Sequence, residues 1–175
     1  MLRNLFRPRP DAWNPEALYA QAAEQARRPE FYTRLGVEDR IDARFELYTL
    51  HVLLLIMRLR DEGQDGADLA QTLFDTYVSA LDHTLRELGV GDLSVAKKMR
   101  ALGQSLYGRM TAYETPLRSE DPEALADALG RNVYAGEGAD AARGLADYAQ
   151  RARRTLAAQP LSTVLKAPEW PQVIA

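Results

Sequence analysis

Leu50-His-Val-Leu-Leu-Leu-Ile-Met57 is the stretch that decides the fold, because it is apolar at every position except His51. It forms the second half of a segment from about Asp39 to Arg60 that is predicted to be helical, and a helix that is apolar nearly all round belongs in the centre of a bundle. The apolar run is much shorter than the roughly 20 residues that cross a bilayer. The sequence therefore predicts a buried core helix in a soluble helical protein.

Further helices are predicted on both sides of this core helix. Asn14 is a typical N-cap, and Pro15 and Glu16 suit the first turn of a helix that runs to about Arg28. A short turn follows and stops at Gly36, which suits a helix C-terminus. Downstream, apolar residues recur at helical spacing and predict four more helices, at about 67–88, 95–114, 122–134 and 139–158.

The chain is predicted to be one all-α domain, a bundle of about six to seven helices around the helix at about 39–60. No stretch shows the alternation with a period of two that is typical of a strand. Pro116 is predicted to close the helix at 95–114. Residues 1–14 are interpreted as a basic N-terminal arm, 15–159 as the helical domain, and 160–175 as a Pro-containing tail that wraps loosely.

Composition excludes several classes of function. The 175 residues are 46% apolar and 27% charged, as in ordinary globular domains. The formal net charge of −3 argues against a nucleic-acid-binding protein that relies on a basic surface. The absence of cysteine excludes disulfides, thiolate catalysis and cysteine-ligated metals. The basic start of the chain, with Leu2, Leu5 and Phe6 among arginines, lacks the apolar region of a secretory signal and is a candidate for contact with anionic lipid.

The sequence offers little catalytic chemistry. It contains no phosphate-binding loop, nucleophile elbow or Glu-x-x-His metal motif. His51 falls in the core helix, where a buried imidazole with satisfied hydrogen bonds is commoner than a catalytic one. Asp75 and Asp82, seven residues apart on one helix face, leave open the alternative of a small helical enzyme with an acid pair. No catalytic, cofactor-binding or metal-binding residue is predicted.

A row of small and polar residues runs along the predicted helix at 95–114, opposite its apolar stripe. Gly108 lies in this row, although a glycine inside a helix costs roughly 1 kcal/mol relative to alanine. Either a later helix of the same domain packs closely on the row, or a partner helix lies across it, since small residues let helix backbones approach closely. The sequence favours neither interpretation. The row, called the ridge below, consists of Lys97, Ala101, Gln104, Gly108 and Ala112.

Two groups of motifs remain to be placed. The first is Phe31-Tyr32-x-x-Leu35-Gly36-Val37-x-Asp39, followed by Asp42-x-Arg44-Phe45-Glu46. The second, more specific group is Gln71-x-Leu73-Phe74-Asp75, Asp82, Leu85-Arg86-Glu87-x-Gly89-Val90-Gly91-Asp92, Val95-x-Lys97-Lys98-Met99, and Tyr107-Gly108-Arg109 with Tyr113. In order and spacing, over about residues 31–113, these motifs resemble the ubiquinol-cytochrome c chaperone family. Ala43 stands where the family has a glycine, and this small-for-small change leaves the resemblance standing.

The resemblance implies an assembly chaperone, without enzymatic activity or cofactor, that binds newly synthesised or haem-free cytochrome b and promotes assembly of the ubiquinol-cytochrome c reductase (bc1) complex. Mitochondrial members act at the ribosomal tunnel exit with a small helical partner, which makes the ribosome and such a co-chaperone candidate partners. Because the sequence lacks the long Arg- and Ser-rich presequence of an imported protein, we expect a bacterial protein at the cytoplasmic face of the inner membrane. The alternative is a helical adaptor that tethers assembly intermediates to that membrane.

The resemblance also suggests where a partner binds. The predicted surface lies on the helical hairpin at 67–114 and combines the polar face of its first helix, the glycine turn and the ridge. Its predicted members are Asp75, Asp82, Arg86, Gly89, Gly91, Asp92, Lys97, Lys98, Ala101, Gln104, Tyr107, Gly108, Arg109 and Ala112.

Overall fold

The computed structural model describes residues 13–87 and 92–174, and within these ranges the chain forms helices and no β-strand. The all-α prediction is confirmed. The helices are α1 (Pro15–Ala26), α2 (Glu30–Thr33), α3 (Ile41–Arg60), α4 (Gln64–Glu87), α5 (Asp92–Ser119), α6 (Pro122–Asn132), α7 (Ala139–Ala158) and α8 (Leu161–Lys166).

Helix α3 is the core of the bundle, as predicted. Every residue from Thr49 to Leu59 is buried, and α1, α4, α5 and α7 all pack against this helix. A helix surrounded on four sides needs apolar residues at all angles, which is the pattern of Leu50 to Met57. In the described part of the chain, no helix combines the length and the apolarity needed to cross a membrane.

Arg58 ties the end of α3 to the end of α7. Its side chain is 5% exposed, and its Nε and Nη2 each donate to a backbone carbonyl, of Leu156 and Gln159 respectively, at 2.9 Å. Its Nη1 donates to Glu62 Oε1 at 2.6 Å. A cation at a helix C-terminus satisfies carbonyls that have no partner within the helix and complements the helix dipole. Arg58 therefore closes α7 through a contact between distant parts of the chain.

His51 is a core residue with both ring nitrogens occupied. Nδ1 lies 2.7 Å from the carbonyl oxygen of Leu47 and Nε2 lies 2.9 Å from Tyr148 Oη. Because a carbonyl only accepts, Nδ1 donates and Nε2 accepts from the tyrosine hydroxyl, which itself accepts from Gln25 Nε2 at 3.0 Å. Burial lowers the pKa of His51 to about 4, so the imidazole is neutral. The prediction of a structural histidine is confirmed.

The C-terminal tail packs on the core, so the expectation of a loosely wrapped tail is wrong. Val164 is fully buried, and the Trp170 ring lies 5.2 Å from the His51 ring. The side-chain amide of Gln159 both donates to and accepts from the backbone of Glu169, at 2.9 Å each. Prolines interrupt regular helix here, but side chains from the bundle supply the hydrogen bonds that the tail backbone needs. The division of the chain into arm, domain and tail stays a prediction, and residues 1–12 of the arm lie outside the described residues.

Helix α5 continues through Pro116. The prediction that Pro116 closes this helix is therefore wrong. A proline inside a helix removes one hydrogen bond and crowds the carbonyl four residues earlier. The following Leu117 is 1% exposed, so packing of this last turn against the bundle offsets that cost. The chain turns after Ser119 instead. Asp121 Oδ1 then accepts from the backbone N–H of Ala124 at 3.0 Å and caps α6.

Candidate partner-binding surface

Helices α4 and α5 form an antiparallel hairpin with a groove near its open end. Residues early in α4 face residues late in α5 across this groove, which is the register expected of two helices joined by a short turn. The groove has a volume of about 370 Å³. Its lining is mainly apolar and aromatic, with floor residues from α3, and comprises Leu53, Ile56, Arg60, Ala67, Ala70, Gln71, Phe74, Tyr107, Met110, Thr111 and Glu114.

Tyr107 is the most exposed groove residue of large apolar character. Its side chain is 75% exposed, whereas Met110, three residues later, is 9% exposed and Tyr113 is fully buried. A ring that lines a groove and also projects into solvent offers both an apolar face and a hydroxyl to a partner. Among the described residues, Ile41 and Ile174 are the other large apolar side chains with high exposure, and neither lines this groove.

The described part of the ridge is open to solvent. Gln104 and Gly108 are exposed, and Ala112 is half-buried. A Cβ added at Gly108 would meet no atom within 4 Å beyond its own helix and chain neighbours. At Gln104 and Gly108 no later helix covers the ridge, which disfavours that interpretation there. Ala112 packs against the core, and the side chains of Lys97 and Ala101 lie outside the described part of the structure, so for the rest of the ridge both interpretations stay open. The helix-breaking tendency of Gly108 therefore has no internal packing to compensate for it.

The polar face of α4 carries ordinary helical pairs. Gln71 Nε2 donates to Asp75 Oδ1 at 2.8 Å, and Arg86 Nε donates to Asp82 Oδ2 at 2.7 Å. Both pairs have the i,i+4 spacing that contributes about 0.2–0.5 kcal/mol to a helix. Asp75 and Asp82 are separated by roughly 10 Å of helix rise and bind different partners. The two carboxylates are thus not placed to share a proton, which disfavours the acid-pair enzyme.

Six of the predicted surface residues are described only in part or not at all. Gly89 and Gly91 fall outside the described residues. Asp92, Lys97 and Lys98 belong to α5, as does Ala101, but their side chains also lie outside the described part of the structure. The assignment of these six positions to a binding surface, like that of the other eight predicted residues, stays a prediction.

Arg109 turns inward, away from the open ridge. Its guanidinium forms an ion pair with the Glu46 carboxylate, which is 2% exposed, and lies 5.7 Å from the centre of the Phe45 ring. Tyr113 Oη donates to Glu46 Oε2 at 3.0 Å. Residues of the first motif group, Phe45 and Glu46, thus meet residues of the second, Arg109 and Tyr113. We call these four residues the Glu46 cluster.

The electrostatics of the Glu46 cluster are dominated by burial. Loss of hydration raises the pKa of the Glu46 carboxyl above its ordinary value, although the Arg109 guanidinium and the Tyr113 hydroxyl act in the opposite direction. The Tyr113 hydroxyl likewise has a raised pKa, mainly because it is buried, and it therefore remains a donor. Arg109 is better described as a residue that supports the surface than as one that presents its charge to a partner.

A charged network closes one end of the groove. Glu114 accepts from Arg118 Nε at 2.8 Å and pairs with Arg60 at 3.4 Å. Asp61 pairs in turn with Arg118 at 3.3 Å and with Arg153 at 2.5 Å. Three arginines and two carboxylates form this network, and two of them, Arg60 and Glu114, also line the groove. Ion pairs in such exposed positions contribute little stability individually, so their main effect is to make this end of the groove polar.

Sequence reasoning located the hairpin but missed the groove and the Glu46 cluster. From sequence, Phe74 belongs to a motif and Met110 to an apolar stripe, and neither pattern indicates a groove, because a groove depends on how two helices are spaced. Glu46 was available as a signal, since a glutamate in a predicted core helix needs a buried partner. Nothing in the sequence pointed to Arg109 as that partner.

The fold and this surface define a class of protein: an all-α bundle with a partly apolar groove beside an exposed part of a helix face. The ubiquinol-cytochrome C chaperone family model matches residues 33–170, most of the chain. The chain therefore belongs to the ubiquinol-cytochrome C chaperone family. The match extends well beyond residues 31–113, where the motifs were recognised, and includes α6, α7 and much of the tail.

Relatives support this membership. The crystal structure of the Cbp3 homolog from Brucella abortus superimposes with a TM-score of 0.80 and 32% sequence identity, covering 91% of this chain and 89% of that one. Ubiquinol-cytochrome-c reductase complex assembly factor 1 from Xenopus laevis is 22% identical over 66% of this chain and 58% of its own length. The Mus musculus protein named ubiquinol-cytochrome c reductase complex assembly factor 1 is 24% identical over 67% of this chain and 39% of its length. The chain thus matches about two fifths to three fifths of these two assembly factors.

Proposed function

We propose that this protein is an assembly chaperone that binds newly synthesised cytochrome b and promotes assembly of the ubiquinol-cytochrome c reductase complex. Membership of the chaperone family and the names of the assembly-factor relatives support the general role. In this proposal the protein acts by binding and release, without a chemical step.

The observation that carries the proposal is the open α4–α5 surface. A chaperone for a membrane protein needs an apolar surface that is exposed before the client arrives, and stable single domains rarely leave such a surface uncovered. Here an exposed Tyr107 stands beside a groove, next to a glycine whose surroundings are empty. A groove of about 370 Å³ has room for a few anchoring side chains, as in helix-in-groove recognition, where anchors recur at i, i+3 or i+4 and i+7.

The test is capture of cytochrome b from membranes of a cell that makes its own bc1 complex, with tagged wild-type protein and variants. Tyr107→Ala removes the exposed ring, and Gly108→Leu places a large side chain on the ridge. We expect each to lower the recovery of immature cytochrome b at least about tenfold, the effect of losing one binding hot spot. Ala157→Leu is the matched control, because it adds the same apolar bulk to an exposed helical position on α7.

The outcomes separate cleanly when circular dichroism confirms that all four proteins are folded. If Ala157→Leu recovers cytochrome b as wild type does and the two hairpin variants do not, the result supports both the proposed client and the proposed binding surface. Wild-type protein that recovers no cytochrome b contradicts the proposed client. If all four proteins recover equal amounts of cytochrome b, the binding site does not lie on the hairpin.

We further propose that binding occurs at the cytoplasmic face of a bacterial inner membrane, with the ribosome and a small helical co-chaperone as additional partners. The sequence support is the basic, partly apolar start of the chain, which suits contact with anionic lipid. Deletion of residues 1–9 should move the protein out of the membrane fraction and leave capture of detergent-solubilised cytochrome b intact. If the deletion abolishes capture in detergent as well, the adaptor alternative is favoured.

A further inference from the structure

The Glu46 cluster is an unusual feature for the core of a bundle. Glu46 is 2% exposed, on a core helix, and its carboxylate contacts a guanidinium and a hydroxyl that both come from α5. Removing charges from water is costly, and a buried ion pair often contributes no more to stability than apolar residues of the same volume would. Stability alone therefore does not account for this cluster.

What an ion pair adds is direction. The hydrogen bond from Tyr113 Oη to Glu46 Oε2 forms only in a narrow range of angles, and the charge of Arg109 draws the same part of α5 towards Glu46. Apolar side chains, in contrast, tolerate rotation of one helix against another. The Glu46 cluster fixes α5 at two points one turn apart, through Arg109 and Tyr113. These contacts join residues 67 positions apart in the case of Glu46 and Tyr113, so they set the rotation of the whole helix on α3.

The rotation of α5 decides which residues face solvent. Successive residues in a helix are about 100° apart, so an inward Arg109 requires Tyr107, two residues earlier, to point to nearly the opposite side. The exposures agree, since Tyr107 is 75% exposed and Tyr113 is fully buried. A roll of α5 by one residue would turn Tyr107 toward the hairpin interior and change the shape of the groove.

We propose that Glu46 is a positioning residue that holds α5, through Arg109 and Tyr113, in the rotation that presents Tyr107 and Gly108 to the client. This inference rests on the proposed function, because it assigns the client-binding surface to α5. Glu46 itself makes no contact with the client. It acts through the direction that it imposes on a neighbouring helix.

The experiment replaces the polar cluster with an apolar one. The triple variant Glu46→Leu/Arg109→Leu/Tyr113→Phe leaves no buried polar group of the cluster without a partner. Glu46→Gln is the conservative variant, since its amide oxygen can still accept from Tyr113 Oη, and only the negative charge opposite Arg109 is lost. Tyr77→Phe is the matched control, because it breaks a buried hydrogen bond between α3 and α4, from Tyr77 to Thr49 at 2.8 Å, and changes no residue of α5 or of the Glu46 cluster.

Three quantities are measured for each protein: the urea midpoint of unfolding, the recovery of cytochrome b, and the rate at which tetranitromethane nitrates Tyr107. We expect the triple variant to unfold at an equal or higher urea concentration, yet to recover at least tenfold less cytochrome b and to show an altered nitration rate. Glu46→Gln should restore recovery to within about threefold of wild type. Tyr77→Phe should lower the midpoint and leave recovery and nitration unchanged.

Two results would overturn the positioning role. One is wild-type recovery and nitration in the triple variant; the other is a loss of recovery that simply follows the urea midpoint across all variants, including Tyr77→Phe. If wild-type protein recovers no cytochrome b, the proposed function fails, and the nitration rate of Tyr107 then decides the positioning role alone. A stable triple variant with altered nitration supports it, and unchanged nitration contradicts it.

Discussion

The side of the bundle formed by α3, α7 and the tail differs from the α4–α5 side in how completely it is covered. On the first side, His51 and Arg58 are buried and every ring or guanidinium nitrogen has a partner. On the second, Tyr107 projects into solvent and Gly108 faces open space. The first side is therefore closely packed, and the second leaves exposed side chains, which the proposed function assigns to the contact with a partner. Mutations on the two sides should consequently affect different measurements.

Arg58→Ala should have the largest effect on stability, about 4 kcal/mol. The substitution removes a buried aliphatic stem and leaves two carbonyls at the end of α7 without their donors. Urea unfolding at pH 7 measures the change. Arg60→Ala is the matched control two residues away, where the side chain is half exposed and a change below about 0.5 kcal/mol is expected. Similar losses for both variants would contradict the distinction between the two arginines.

Acidification should destabilise the closed side through His51. The pKa of His51 falls from 6.5 to about 4 on folding, so between these values the unfolded chain binds a proton that the folded protein does not. Stability is therefore fully present above pH 6.5 and falls as pH decreases, by roughly 3 kcal/mol at pH 4. Urea unfolding at pH 7 and pH 4 measures the difference. In His51→Gln this part of the pH dependence should disappear, and its persistence would assign the dependence to another group.

A glycine in a closely packed place, Gly130 on α6, and one on the open side, Gly108, should change stability in opposite directions when replaced by alanine. A Cβ at Gly130 would lie 2.4 Å from the carbonyl oxygen of Gly138, which is backbone and cannot swing away, so Gly130→Ala should cost about 2 kcal/mol. Gly108→Ala meets no such contact and should stabilise the protein by up to about 1 kcal/mol through helix propensity. Thermal unfolding compares the pair. Destabilisation by Gly108→Ala would show that the ridge is covered in solution.

Tyr107→Ala should change stability least, by less than about 0.5 kcal/mol, since the ring is largely solvated in the folded protein. Urea unfolding at pH 7 measures it beside Tyr113→Ala, which removes a fully buried ring and should cost about 3 kcal/mol or more. Both substitutions replace tyrosine by alanine on the same helix, so the change in helix propensity is the same. The difference between their losses of stability therefore measures the effect of burial. A loss near that of Tyr113→Ala would place Tyr107 in the core and remove it from the binding surface.

Much of the candidate site was predictable because its location depends on local pattern. The motif residues and the apolar stripes placed the surface on the α4–α5 hairpin, and Tyr107, Gly108 and Gln104 are exposed there as predicted. Arg109 was grouped with them because it is adjacent in sequence, yet it turns inward to Glu46. Its partner is 63 positions away, and local pattern carries no information about which distant residue a charge will meet.

The sequence by itself determined the all-α class, the central place of α3 and the approximate extent of the long helices, because apolar spacing and capping residues act within a few positions of each other. Tertiary structure alone decided the rest. It carried α5 through Pro116, folded the tail onto His51, and set the rotation of α5 through Glu46. Each of these outcomes depends on contacts between distant segments, such as Arg58 with Leu156, 98 positions apart, and the free energy of packing there outweighs the local preference of the chain.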